Sequence, residues 1–258
     1  MCLILVAWRA HPDYPLVLAA NRDEFHARPS ASAAWWPEQP SLLAGRDLSA
    51  GGTWLGVTAD GRFAALTNYR DPARALPAAP SRGGLVPATL ARALPVAQRL
   101  RQLRGTAQLY NGFNLIFSDG AQLACFESVP GRHQLLRAGV YGLSNHLLDT
   151  PWPKVSNAKS ALAAALLQLP DEAALLALLR DERQAEDAQL PRTGVSLAWE
   201  RLLSSAFIRA DDYGTRCSTI VLMNAGGRVR FLEWSWDRSG NLSGQVSYEF
   251  MTGAAVKP

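Results

Sequence analysis

Cys2 is the residue whose type and position most directly suggest chemistry. Its side chain is small enough for Met1 to be trimmed in front of it, and trimming would leave a thiol and a free α-amine on one residue. An α-amine titrates at about pH 8, so it can serve as the base that activates the neighbouring thiol. The tetrad Asn21-Arg22-Asp23-Glu24 follows the apolar run Leu16-Val17-Leu18-Ala19-Ala20, where a second strand would return beside the first. On an extended strand Asn21 and Asp23 share one face, while Arg22 and Glu24 share the other. The pattern suits N-terminal-nucleophile chemistry, in which a thiol attacks a carbonyl, the α-amine carries the proton and a carboxylate holds the amine. For Cys2 the alternative is a small buried hydrophobe at the start of a strand. For the tetrad it is a strand-end turn with Arg22–Glu24 or Arg22–Asp23 ion pairing.

Two strands must position these groups, and the first third of the chain supplies them. Residues 3–8 and 16–21 are short, apolar and separated by the turn-like His11-Pro12-Asp13-Tyr14-Pro15. Residues 53–58 and 62–68 flank Ala59-Asp60-Gly61, whose Asp-Gly step is a strong hairpin signal. A second hairpin is predicted from 114–118 and 122–128 around Asp119-Gly120, and strands continue over 134–136 and 140–144. Leucine spacing predicts helices over 84–94 and 96–103. Helices are also predicted over 154–169 and 171–180, with Pro170 as the break and Asp171 as N-cap. A polar surface loop over 181–193, a short helix over 196–205 and strands over 218–223 and 229–236 complete the pattern. Strands, then helices, then strands suit an α+β fold of two sheets between helical layers.

The 258 residues, 48% of them hydrophobic, suffice for one large core, and 1–258 reads as one domain. The loosest stretch, 71–81, is too short to separate two. The net charge of +4 comes from arginines scattered singly, with lysine only at 154, 159 and 257, so no dense basic run speaks for nucleic acid. Cys2, Cys125 and Cys217 are odd in number and far apart, which argues for a reducing compartment and against a disulfide frame or zinc site. The charged tetrad arrives too soon for a membrane span, and the protein reads as cytoplasmic. His11, His26, His133 and His146 have no metal-ligand spacing, and none belongs to a CxxCH haem-attachment motif.

Several ordered motifs resemble one family. They are Met1-Cys2, Asn21-Arg22-Asp23-Glu24, Gly51-Gly52-Thr53-Trp54-Leu55-Gly56, Thr67-Asn68-Tyr69-Arg70, Ser81-Arg82-Gly83, and Ser144-Asn145 followed by Leu148-Asp149-Thr150-Pro151-Trp152-Pro153-Lys154. Together they resemble the NRDE family, also called the transport and Golgi organization family, from Met1 into the C-terminal region. The resemblance implies an Ntn-hydrolase-like four-layer αββα sandwich with antiparallel sheets. It also implies one of two functions. The first is a cysteine N-terminal-nucleophile hydrolase acting on an amide or acyl thioester. The second is a non-catalytic protein of the same fold that binds and carries haem, an acyl lipid or acyl-CoA.

Choloylglycine hydrolases and penicillin V acylases carry a similar Arg-Asn-x-Asp element after their second strand. Asn21 and Asp23 match its Asn and Asp, whereas Ala20 stands at its Arg. By this resemblance Cys2 is the nucleophile and Asp23 holds the amine. Asn68 and Asn145 are placed like the amides that bind an oxyanion, a role worth about 3 kcal/mol; each otherwise caps a turn. Arg216, beside Cys217, is the candidate for the missing guanidinium, or is a surface Arg. Trp54 lines a pocket or packs in a core. Asn21, Arg22, Glu24, Trp54 and Arg216 are thus the expected substrate contacts. No cofactor is expected for catalysis; haem enters only as a transported ligand, and the partner is a small molecule.

Overall fold

The computed structural model describes residues 2–253. Met1, whose removal the nucleophile reading requires, and residues 254–258 lie outside the described residues, so the expected domain bounds of 1–258 reach beyond them.

Two antiparallel sheets stack face to face. One runs in the order β10 (Gly139–Leu143), β1 (Cys2–Trp8), β2 (Leu16–Phe25), β11 (Tyr213–Met223), β12 (Arg228–Trp236), β13 (Leu242–Met251). The other runs β3 (Ser30–Trp36), β4 (Gln39–Asp47), β5 (Leu55–Thr58), β6 (Phe63–Asn68), β7 (Phe113–Ser118), β8 (Leu123–Glu127), β9 (Arg132–Leu136). Helices α1 (Leu85–Leu90) and α2 (Val96–Thr106) cover the outer face of the second sheet. Helices α3 (Pro153–Ala165) and α4 (Ala173–Leu179) cover that of the first, and α5 (Leu197–Leu202) precedes β11. This is the expected four-layer α+β sandwich of antiparallel sheets.

The chain start is apolar at every position because β1 is buried on both faces. Cys2, Ile4, Val6 and Trp8 point between the sheets, where they meet Val57, Phe63 and Ile116. Leu3, Leu5 and Ala7 point outward, where they meet Val155 and Leu162 of α3 and Leu179 of α4. Each large aliphatic side chain so buried contributes about 1.5–3 kcal/mol. A one-residue register slip would exchange the two faces and turn Cys2 under the helices, so this core holds the thiol toward the inter-sheet space.

The hairpins at Asp60-Gly61 and Asp119-Gly120 form as predicted, with Gly61 and Gly120 at φ of 83° and 91°, a region Asp-Gly turns require. Four predictions are corrected. β2 continues through the whole tetrad to Phe25, because β11 pairs with it as far as Tyr213, so no turn ends the strand at Asn21. β3, β4 and β13 were not predicted; β13 alternates exposed and half-buried residues at a sheet edge and has no fully buried position. The helices stop short of their predicted ends: α1 halts at Leu90, before Pro95, and α3 at Ala165, before a short 3-10 turn at Leu166–Gln168. Asp171 accepts a bond from the Ala173 N–H at 2.9 Å, but the N-cap of α4 is Glu172. Among the described residues no helix is long and apolar enough to cross a membrane.

Candidate active site

Strand pairing sets three side chains abreast at one end of the first sheet. Cys2 of β1 and Cys217 of β11 both stand opposite Arg22 of β2. All three line a cavity of about 590 Å³ between the sheets, which Trp54 and Asn68 line as well. Glu24 also lines it, and Arg22 meets Glu24 at 4.0 Å and Asp47 at 3.4 Å, while Arg28 holds Asp47 at 2.6 Å. The expected Arg22–Glu24 pairing is thus present, within a strand rather than a turn. Trp54 is buried in the inter-sheet core and borders the cavity, so both expectations for it hold together.

Asn145 is the joint between the sheets at this end. It follows Leu143 and Ser144 where β10 runs beside β1, and the Ser144 hydroxyl donates to the Cys2 carbonyl at 3.1 Å. Its side-chain amide donates to the Asn68 carbonyl at 2.9 Å, and its own carbonyl accepts from the Arg70 N–H at 2.7 Å. The structure therefore brings Asn145 beside both Cys2 and Asn68. Its amide, expected to face an oxyanion, is spent on fixing the backbone that presents Asn68. Asn68 itself stays half-exposed at the cavity. Sequence reasoning missed Asn114, whose amide donates to Thr67 Oγ1 at 3.1 Å and to the His146 carbonyl at 2.7 Å, tying the same two loops. A fully polar side chain inside the apolar run Phe113–Ser118 was the available signal.

The opposite face of β2 holds a different constellation. Asn21 is fully buried there; its amide donates to the carbonyls of Leu179 at 2.7 Å and Ala206 at 2.8 Å, and its oxygen accepts from the Ser218 hydroxyl at 2.6 Å. This corrects its expected substrate contact: the side chain pins the helical layer to the sheet. Asp23 shares that face, two residues before the end of β2, and still borders the cavity, accepting from the Thr215 hydroxyl at 2.8 Å. Lys154, in the first turn of α3, is buried with no hydrogen-bond partner for its ammonium. Sequence reading passed over this residue, since a lysine beside a helix start ordinarily reads as solvated.

Burial dominates the electrostatics. It pushes the Cys2 thiol up to about 11 and raises Cys217 well above its ordinary value. It also raises the Asp23 carboxyl, against the opposing charge of Lys154, and lowers the Lys154 ammonium to about 8. Arg216 also lines the cavity. It occupies a β-bulge between Thr215 and Cys217, and its Nη1 donates to the carbonyls of Phe25, His26 and Arg28 at 3.1–3.3 Å, while its Nε is buried without a hydrogen-bond partner. Arg82 is a further guanidinium bordering the cavity; its Nη1 donates to the Gly112 carbonyl at 2.9 Å. The turn bearing Arg82 is locked because a Cβ on Gly52 would lie 2.4 Å from the Gly83 backbone, so Gly52 lets the two segments touch. Among the described residues no group of three or more His, Cys, Asp or Glu could hold a metal ion.

A family model described as Transport and Golgi organisation 2 matches residues 1–238. The Transport and Golgi organization 2 homolog of Mus musculus is 36% identical over 274 residues, covering 97% of this chain and 99% of the mouse protein. The Transport and Golgi organization protein 2 homolog of Homo sapiens is 37% identical over 258 residues, covering 91% and 93% respectively. Among solved structures, a mutant of the conjugated bile acid hydrolase from Clostridium perfringens aligns over 100% of this chain and 99% of its own at 11% identity, with a TM-score of 0.44.

Proposed function

From the premise that this chain belongs to the Transport and Golgi organisation 2 family, we propose that its cleft hydrolyses an amide or acyl thioester by N-terminal-nucleophile chemistry. The observation that carries this reading is the meeting of Cys2, Asp23 and the presented Asn68 side chain at one end of one cavity, from three separate strands. With Met1 removed, the α-amine of Cys2 takes the thiol proton as Sγ attacks the carbonyl carbon. The carbonyl oxygen becomes an oxyanion, to which the Asn68 amide donates. Collapse expels the amine or thiol of the leaving group, which takes the proton from the ammonium. Water then attacks the acyl-enzyme with the amine again as base, releasing the acid and the thiol. Asp23 orients the amine, and Asn145 acts through Asn68 as a positioning residue.

The thiol stands at about 11 because burial outweighs the charges of Asp23, Arg22 and Glu24 around it. An ammonium on the same residue stabilises the thiolate and brings it down toward the working range. Intact mass tests the premise: the native protein should lack one Met residue, and acyl thioester or N-acyl amino acid should be turned over. A retained Met1 with no turnover sinks the reading.

One observation favours a second reading, a carrier of an acyl compound or haem: burial alone leaves the thiol inert at neutral pH. A carrier keeps its ligand affinity in Cys2→Ala, turns nothing over, and labels slowly at all three cysteines. Haem titration followed in the Soret band separates this outcome.

A further inference from the structure

Strand register sets five residues in a single row across the first sheet. Cys2 pairs with Arg22, Arg22 with Cys217, Cys217 with Ser235, and Ser235 with Gly244. All five line the cavity, so it runs crosswise over β1, β2, β11, β12 and β13. At about 4.8 Å per strand the row is about 19 Å long. The sheet above it changes along that length: β6 packs on β1 at the thiol end, and β3 packs on β12 and β13 at the other. Trp54 and Leu66 line the wall with Asn68, while Ser30, Ser32, Gly45, Glu233, Ser235 and Gly244 border the rest of the path. Among the described lining residues Leu66 is the only branched aliphatic. An alkyl chain laid along the row would strip water from these polar groups and return no hydrogen bonds.

The arginines of the wall have donors to spare. Arg22 is buried, its Nη1 has no hydrogen-bond partner, and its contacts to Asp47 and Glu24 are long, at 3.4 and 4.0 Å. Arg28 holds Asp47 more closely, at 2.6 Å. The Nε of Arg216 is also buried without a partner, and its Nη1 donates only to backbone carbonyls, which leave its charge unneutralised. The carboxylate of Glu233 is already engaged, accepting from the Ala33 N–H at 2.8 Å and the Thr219 hydroxyl at 3.2 Å. Unpaired buried guanidinium donors are costly, and a carboxylate matches their planar fork. We propose that the substrate is a short-chain acyl compound with a hydrophilic, carboxylate-bearing leaving group. The inference rests on the hydrolase reading and names its substrate class. The acyl group sits against Trp54 and Leu66, and the leaving group crosses the strands. Arg22 and Arg216 hold its carboxylate one to two strand spacings from Sγ, about 5–10 Å away.

N-acetyl-glycylglycine, extended, places its carboxylate about 7 Å from the acetyl carbonyl and is the probe. Calorimetric titration of the Cys2→Ala chain reads binding where this thiol cannot react. The acid should bind about tenfold more tightly than its carboxamide, and Arg22→Gln should erase that difference. N-palmitoyl-glycylglycine should gain no affinity from its chain. Bound acid should also slow alkylation of Cys217, which it crosses, and leave the rate at fully buried Cys125 unchanged. Equal affinity for acid and carboxamide, tighter binding of the palmitoyl compound, or an unprotected Cys217 overturns the proposal. Should Arg22→Gln fail to fold, the acid–carboxamide comparison and the Cys217 protection decide alone, since both are made with Arg22 in place. Turnover by the wild-type chain separates this proposal from the reading beneath it. Acid selectivity with no cleavage of any acyl amide or thioester removes the hydrolase reading and leaves the carboxylate subsite. Cleavage that favours long-chain acyl amides keeps the hydrolase and overturns the substrate class.

Discussion

Consecutive residues of one strand lead different lives on the two faces of β2. On the cleft face, Arg22 and Glu24 stand at the rim of a cavity, share Asp47 and Arg28 with a neighbouring turn, and flank two thiols. On the helix face, Asn21 and Asp23 are almost wholly buried, and Asn21 has every polar atom satisfied by backbone carbonyls and a hydroxyl. Orphaning a buried acceptor or donor of the kind Asn21 satisfies costs about 1–3 kcal/mol. The tetrad is therefore divided by strand parity into a face that can meet ligand and a face that holds the layers together. Asp23, buried yet lining the cavity, belongs to both.

The comparison breaks most visibly at Cys2. Replacing it by Ala should remove a nucleophile outright, lowering acyl turnover by up to about 10⁶-fold, while shifting the denaturant midpoint by only about 1 kcal/mol. Steady-state kinetics and equilibrium unfolding on the same sample measure both. Residual turnover near wild type would place the chemistry elsewhere.

Asn21→Ala should do the reverse. It orphans the Leu179 and Ala206 carbonyls and the Ser218 hydroxyl, at a cost of about 4 kcal/mol in unfolding free energy. The surviving folded protein should keep its Cys2 alkylation rate. A stable Asn21→Ala with lost ligand binding would return Asn21 to the cleft.

Asn68→Ala sharpens the cleft side. Loss of one oxyanion donor should lower kcat about 10²–10³-fold, close to 3 kcal/mol, with alkylation of Cys2 unaffected. Asn145→Ala should lower kcat as well, but it also frees the loops held at Asn68 and Arg70 and so costs stability; an effect on kcat larger than that of Asn68→Ala would reverse their assigned roles.

Much of this division was legible in the sequence. Period-two alternation assigned Asn21 and Asp23 to one face, and the Asp-Gly steps located the hairpins that bring Asn68 forward. The alternation could not say which face the cleft lies on, because β1 and β2 are apolar on both sides. Asn21 was therefore read as a ligand contact. Arg216 could not be placed from sequence, because strand pairing sets the β11 bulge that brings its Nη1 to three backbone carbonyls at the cavity wall. Lys154 escaped because nothing local to Pro153-Lys154 marks it as buried; packing of α3 on β1, β10 and α4 does that. Cys217 shares the cavity with Cys2 and is a second site that alkylation mapping must resolve.

The smallest expected effect sets the two faces against each other in their response to pH. The Cys2 thiol is raised from 9.0 to about 11 in the folded state, so the folded chain keeps a proton there that the unfolded chain loses first. Its stabilisation is fully present below pH 9 and is lost as pH rises through about 11. The Lys154 ammonium is lowered from 10.5 to about 8, so the folded chain releases that proton first, and stability increases as pH rises from about 8 to 10.5. Each window is worth about 2–3 kcal/mol. In the wild-type chain the two slopes oppose each other between pH 9 and 10.5. Lys154→Met should leave only the falling limb, so its stability relative to wild type declines steadily across pH 8–10.5. Cys2→Ala should leave the rising limb, so its stability relative to wild type improves between pH 9 and 11. Urea midpoints measured in half-unit pH steps read both differences. Parallel curves for the three proteins would mean that neither group is held in the protonation state its burial imposes, and the electrostatic contrast between the faces of β2 would fall.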